Sequence, residues 1–133
     1  MHSKFTKADN YTHDIIGAAI EVHRLKGPGL IESIYEKCLG RELTLQNIPF
    51  VSQLQVPIEY KGYCFEEKLR LDLLVDDCLL IELKVVEKIL PIHKAQLLSY
   101  MKLLNVPVGL LLNFHELQMK DGIYRMMLPN ANR

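Results

Sequence analysis

Glu82 and Lys84 interrupt the most apolar stretch of the chain, Cys78-Leu-Leu-Ile-Glu-Leu-Lys-Val-Val86. A run this short and this apolar, next to turn residues, reads as a central strand covered on both faces. In such a strand an ionised side chain costs several kcal/mol unless it is paired or coordinated. Two residues apart, both charges leave the same face. The segment before it, Leu69-Arg70-Leu71-Asp72-Leu73-Leu74-Val75, carries a second misplaced acid, and Asp76-Asp77 marks a tight hairpin between the two. Loop length then decides what meets. A two-residue loop pairs Asp72 with Ile81 and sends Glu82 to the opposite face. A three-residue loop, Asp76 to Cys78, pairs Asp72 with Glu82 and Arg70 with Lys84. Only the odd loop, or a bulge, builds a site; otherwise Glu82 and Lys84 are an ion pair on a solvated edge.

The remaining pattern supplies a sandwich around that hairpin. Thr12 is placed to cap a helix over 13–25 with Ile15, Ile16, Ala19, Ile20 and Val22 inward. Gly27-Pro28-Gly29 breaks the chain. A second helix is expected over 30–46, with Leu30, Ile34, Cys38, Leu39, Leu43 and Leu45 mostly inward and a stop at Asn47. The period changes to two from Phe50 to Tyr60, with Pro57 suggesting an edge. Lys61-Gly62 turns into Tyr63–Val75. Pro91 opens a helix to about Leu104, Val106–Phe114 is a further buried strand, and a short hairpin turning at Asp121-Gly122 closes the domain. The order is α-α-β-β-β-α-β-β. The expected fold is α/β, a mixed β-sheet flanked by helices, in one domain over residues 1–133 with its core at about 13–114 and the closing hairpin at about 115–128.

Two carboxylates converging in a sheet are stable only with a cation between them or a proton on one. Oxygen ligands without nearby His or Cys favour Mg²⁺ or Mn²⁺ over zinc. Such an ion stabilises charge developing on a phosphate and activates water, and Lys84 is placed to orient that water or hold a phosphate oxygen. Sixteen basic and sixteen acidic residues give zero formal charge. Tight non-specific binding to a polyanion normally needs clustered cations, so weak, salt-sensitive binding is expected of this domain alone. No stretch is long and apolar enough to cross a bilayer, and no signal-peptide pattern opens the sequence. Cys38, Cys64 and Cys78 lack metal-ligand spacing, and a reduced cytoplasm is the expected compartment.

Asp72, nine residues, then Glu82-Leu83-Lys84 resembles the D…(D/E)-x-K pattern of the PD-(D/E)XK nuclease superfamily. Gly29-Leu-Ile-Glu32-Ser-Ile-Tyr35 matches the Gly-x-x-Glu-x-x-Tyr motif of the GxxExxY family within it. Other matching stretches are Pro49-Phe50, Tyr60-Lys61-Gly62, His93-x-Ala95-Gln96-Leu97-Leu98-x-Tyr100 and Gly109-Leu-Leu-Leu-Asn113-Phe114. The resemblance runs collinearly from about His13 to Phe114 and implies a restriction-endonuclease-like core. It further implies that Asp72 and Glu82 ligate metal, with the Leu83 carbonyl as a third ligand, and that Lys84 is catalytic. Glu32 would complete the metal site from the first core helix. Its bland alternative is an exposed helix-start glutamate favoured by the helix dipole, and Glu36, one turn on, competes with it. Gln96 and Tyr100 share one helix face and would hold the water, the lysine or the phosphate; as core neighbours they would simply pack. Arg70 would pair with the acids or contact the backbone of the substrate.

The implied partner is nucleic acid, DNA before RNA, cut by a divalent-metal-dependent phosphodiesterase. The competing reading is a non-catalytic nucleic-acid-binding or accessory module that keeps the fold. A homodimer would give so small a nuclease more substrate surface.

Overall fold

The computed structural model describes residues 1–133. Two helices, α1 (Phe5–Lys26) and α2 (Glu32–Leu45), precede three strands, β1 (Phe50–Tyr60), β2 (Tyr63–Val75) and β3 (Leu79–Lys84). Helix α3 (Pro91–Leu104) then leads to β4 (Val108–Asn113) and β5 (Ile123–Met127), with one 3₁₀ turn at Met119–Gly122 between these strands. The sheet order is β1-β2-β3-β4-β5. All neighbours are antiparallel except β3 and β4, which the α3 crossover makes parallel. The α/β class and the element order read from the sequence are the ones observed.

The alternation of β3 explains why both of its faces are apolar. Leu79, Ile81 and Leu83 pack with Ile15, Ala19, Val22, Leu39 and Leu43 of α1 and α2. Leu80 packs with Leu97 and Met101 of α3. Glu82 and Lys84 share the parity of Leu80 and therefore belong to the α3 side. Burying these strands from both sides is what the crossover topology requires.

The long hairpin of β1 and β2 does not keep its faces constant. Phe50 packs on the α1/α2 core, whereas Leu54 and Val56, of the same parity, pack on the α3 core. The switch occurs at Gln53, whose φ of 53° is left-handed inside a strand. Its position opposite Asp72 is the one gap in an otherwise continuous register from Phe50↔Val75 to Pro57↔Lys68. On β2 the same reversal separates Leu71, on the α3 core, from Leu73, on the α1/α2 core. Such a conformation costs about 1–2 kcal/mol for a non-glycine residue and persists only where surroundings fix it.

Several expectations are corrected. Helix α1 begins at Phe5, and Thr12 is inside it, buried, with its hydroxyl donating to the Ala8 carbonyl at 3.1 Å rather than capping. The apolar stripe continues upstream through Ala8 and Phe5, which the later start had left out. Helix α2 begins at Glu32 and not at Leu30; its buried line is Tyr35, Leu39 and Leu43, with Gly40 beside it, while Ile34, Leu45 and the preceding Leu30 are exposed and Cys38 is half-buried. Strand β3 stops at Lys84 instead of Val86 because Asn113 takes over the ladder. Its amide accepts from Val86 N (3.1 Å) and donates to Val86 O (2.8 Å), imitating a strand neighbour. The closing segment is a single strand on β4, reached through the 3₁₀ turn, and not a hairpin turning at Asp121-Gly122.

Candidate active site

The hairpin loop between β2 and β3 holds three residues. Val75 faces Leu79, Leu74 faces Leu80 and Leu73 faces Ile81. Asp76 and Asp77 take left-handed φ values of 44° and 57°, and Cys78 N closes the turn on Val75 O at 3.0 Å. Helix α1 pins this loop. Tyr11 donates to Asp76 at 2.8 Å, and Lys4 pairs with Asp77 at 2.9 Å. Continued by one residue, the register sets Asp72 opposite Glu82.

At that point the strands stop pairing through their backbones and pair through the acids instead. Asp72 N donates to Glu82 Oε1 (3.2 Å), and Leu83 N donates to Asp72 Oδ2 (2.8 Å). One oxygen of each carboxylate is thereby fixed by the opposite strand. On the same side, Lys84 Nζ donates to Gln96 Oε1 of α3 at 3.1 Å. Asp72, Glu82, Lys84 and Gln96 thus gather where β2 and β3 splay against α3.

Electrostatics mark the cluster as short of positive charge. Glu82 is 5% exposed. Burial, and then repulsion from Asp72, push its carboxyl up to about 8, against the smaller downward pulls of the Asp72 N–H and Lys84. Glu32, at the start of α2, is exposed as a residue, and its carboxyl is raised first by partial desolvation and then by the charge of Asp72. Glu36 is raised by burial and by Asp72 but is held by a hydrogen bond from Gln53. Both Glu32 and Glu36 feel the charge of Asp72. Tyr100 lies beside Gln96, its hydroxyl raised by burial and then by Glu82 and Asp72. A cavity of about 300 Å³ is lined by Glu36, Gln53, Ser52 and Phe50 among others, and by none of Asp72, Glu82, Lys84 and Gln96.

Arg70 departs from expectation. The β2–β3 ladder has ended before it, its strand partner is Gln55 of β1, and it does not face Lys84. It makes no ion pair, although its charge is felt at Glu36. His93 is a helix-start group, accepting at Nδ1 from Leu90 N (2.9 Å).

Two contributors escaped the sequence reading. Gln53 looked like an ordinary polar strand residue, and nothing local marks its left-handed backbone. Tyr35, visible in the sequence only as the last residue of the Gly-x-x-Glu-x-x-Tyr motif, is fully buried, stacked on Phe114 with ring centroids 4.6 Å apart. Its hydroxyl also donates to Gly27 O (2.6 Å) and accepts from Leu30 N (3.0 Å). That latch closes the Gly27-Pro28-Gly29 loop, whose glycines have φ of 72° and 94°, and so fixes where α2 and Glu32 begin. Tyr35→Phe should lower stability by about 1–2 kcal/mol by stranding both backbone groups. Urea unfolding checks this; an unchanged midpoint would mean that water replaces the latch without loss.

The chain matches the PD-(D/E)XK nuclease superfamily over residues 9–126. It belongs to that superfamily. Neither the curated proteins nor the solved structures contain a match to it. No helix is long and apolar enough to cross a membrane.

Proposed function

We propose that this protein is a divalent-cation-dependent nuclease that hydrolyses phosphodiester bonds in DNA, and that it belongs to the GxxExxY group of its superfamily. The observation carrying the reading is the convergence of Asp72, Glu82, Lys84 and Gln96 at one splayed strand junction. No three His, Cys, Asp or Glu side chains form a ready-made cation cage. Two adjacent carboxylates nevertheless suit Mg²⁺ or Mn²⁺, since Mg²⁺ is commonly held by one or two carboxylates, with water and substrate phosphate as the other ligands. The elevated Glu82 carboxyl fits as well, because a buried acid beside another takes a proton when no cation is supplied.

Asp72 and Glu82 would hold the ion, with Glu32 and the Leu83 carbonyl as further donors. When bound, the ion would stabilise charge on the phosphate and lower the pKa of a nearby water. The chain's own part is positioning. Gln96 fixes the Lys84 ammonium, which then donates to a non-bridging phosphate oxygen or to the attacking water. Water adds to phosphorus, the bond to the leaving sugar oxygen breaks, and that oxygen takes a proton. Tyr100 steadies Gln96, and Arg70, exposed and unpaired, is available to a neighbouring phosphate. A cytoplasmic setting is part of this reading, and the unpaired Cys38, Cys64 and Cys78 are compatible with it.

A neutral chain without a dense basic tract favours the second reading, a binding or accessory module. Cleavage assays on single-stranded, double-stranded and branched DNA, and on RNA, with Mg²⁺ or Mn²⁺ separate the two. Cleavage by wild type should fall by at least about a hundredfold in Asp72→Ala. Equal cutting by the variant, or failure of the wild type to bind either ion by calorimetry, rejects the nuclease reading.

A further inference from the structure

Gln53 alone combines a left-handed backbone with a place inside a strand. The other six non-glycine residues of positive φ, among them Asn47, Lys61, Asp76 and Asn105, stand in turns or at helix ends, where that conformation is ordinary. Gln53 is exposed, so burial of its own side chain does not offset the strain. Its side-chain amide donates to Glu36 of α2, a single hydrogen bond at the surface. Strain of this kind gathers where a fold holds a functional group in an orientation that regular structure does not supply.

Asp72, across the ladder from Gln53, has such an orientation. Side chains of a regular strand stand roughly perpendicular to the sheet, whereas ladder N–H groups lie in its plane. The Asp72 carboxylate accepts from Leu83 N at 2.8 Å, so it reaches into the plane between β2 and β3. Asp72 is also the residue at which β2 reverses, with Leu71 on the α3 core and Leu73 on the α1/α2 core. β1 makes the matching reversal between Phe50 and Leu54. Ser52↔Leu73 and Leu54↔Leu71 flank the unpaired rung, with no residue gained or lost on either strand. Directly opposed residues share a face, so β2 cannot reverse and stay paired on both sides of that rung unless β1 reverses with it. We infer that Gln53 is a positioning residue whose left-handed backbone lets both strands reverse together and so turns the Asp72 carboxylate into the plane of the sheet, towards β3. The placement stands on geometry alone; that Asp72 ligates a cation there rests on the nuclease reading.

Three variants test it, each read by the nuclear Overhauser contact between the Leu83 amide and the Asp72 β protons. The opposed pair Leu74 and Leu80 is the internal reference for the hairpin. Gln53→Gly accepts a positive φ without strain and Gln53→Asn tolerates it, so both should keep the Leu83–Asp72 contact, although the glycine cannot bond Glu36. Gln53→Val, β-branched and favouring a regular strand, should lose that contact while the reference pair persists. Mn²⁺ affinity by calorimetry should follow, within about threefold of wild type for glycine and asparagine and at least about tenfold weaker for valine. A glycine variant that loses the contact overturns the proposal whatever the valine variant does, because the side chain and not the backbone would then be the cause. A folded valine variant that keeps the contact overturns it too. A wild type that binds no Mn²⁺ removes the nuclease reading and leaves the Leu83–Asp72 contact to decide the role of Gln53.

Discussion

Glu82→Gln should make the cation-free protein more stable at neutral pH, by about 3 kcal/mol, while removing cleavage. The glutamine can still accept from Asp72 N and can donate to the Asp72 carboxylate, so the strand junction survives without its unfavourable charge. The sign follows from proton linkage. Folding raises the Glu82 carboxyl from 4.5 to about 8. Between those values the native state holds a proton that the unfolded chain has released, so the contribution of Glu82 to wild-type stability is greatest below pH 4.5 and falls as pH rises towards 8. The slope is about 1.4 kcal/mol per pH unit. Glu32 and Glu36 are raised and add to the same trend, whereas Asp77 is lowered and acts only in more acidic solution. Thermal unfolding in EDTA from pH 5 to 8 should show a declining midpoint for wild type and a flatter one for the glutamine variant. Saturating Mn²⁺ should flatten the wild-type profile too. A wild-type midpoint that does not move with pH would mean that Glu82 is already neutralised in some other way.

Lys84→Met should lower the single-turnover cleavage rate by about two to three orders of magnitude with oligonucleotide affinity changed less than about tenfold. Methionine fills the same half-buried volume but donates nothing to a phosphate or a water. Gln96→Ala, which leaves the ammonium present but untethered, should cost about tenfold. The ordering is the informative part, since Gln96 acts through Lys84. A Gln96→Ala defect as large as that of Lys84→Met would give the glutamine its own contact with substrate. Rates within a few-fold of wild type in Lys84→Met would remove the lysine from the chemistry.

The site was legible in the sequence to the extent that it depends on strand parity. Charges two apart on a doubly apolar strand had to share a face, and the odd loop that brings Asp72 to Glu82 is the one present, with Asp76 to Cys78 as its residues. That Gln96 and Tyr100 share a helix face was also readable, whereas the bond from Lys84 to Gln96 was only one of the roles that the family resemblance implied. What failed depended on tertiary choice. The α2 stripe rotated because Tyr35 packs on Phe114, eighty residues away by rough count, and helical spacing alone cannot tell Ile34 from Tyr35 as the inward residue. Thr12 is a good cap by residue type, yet the upstream residues continue the helix. Gln53 was hidden for a different reason. A left-handed residue within a strand is imposed by the two cores it must serve, and a period of two carries no trace of it.

The acid-rich cluster also constrains the order of encounters. Even with Glu82 protonated, Asp72 and Glu32 outnumber Lys84 at the junction itself, so a bare phosphate approaching it meets a net repulsion. A divalent cation and a polyanion would then bind with positive coupling, each relieving the charge that opposes the other. Reciprocity makes the enhancement one number: the factor by which Mg²⁺ tightens oligonucleotide binding must equal the factor by which the oligonucleotide tightens Mg²⁺. A neutral chain with an acidic junction would thus be an ion-gated binder, nearly indifferent to nucleic acid until the cation concentration rises.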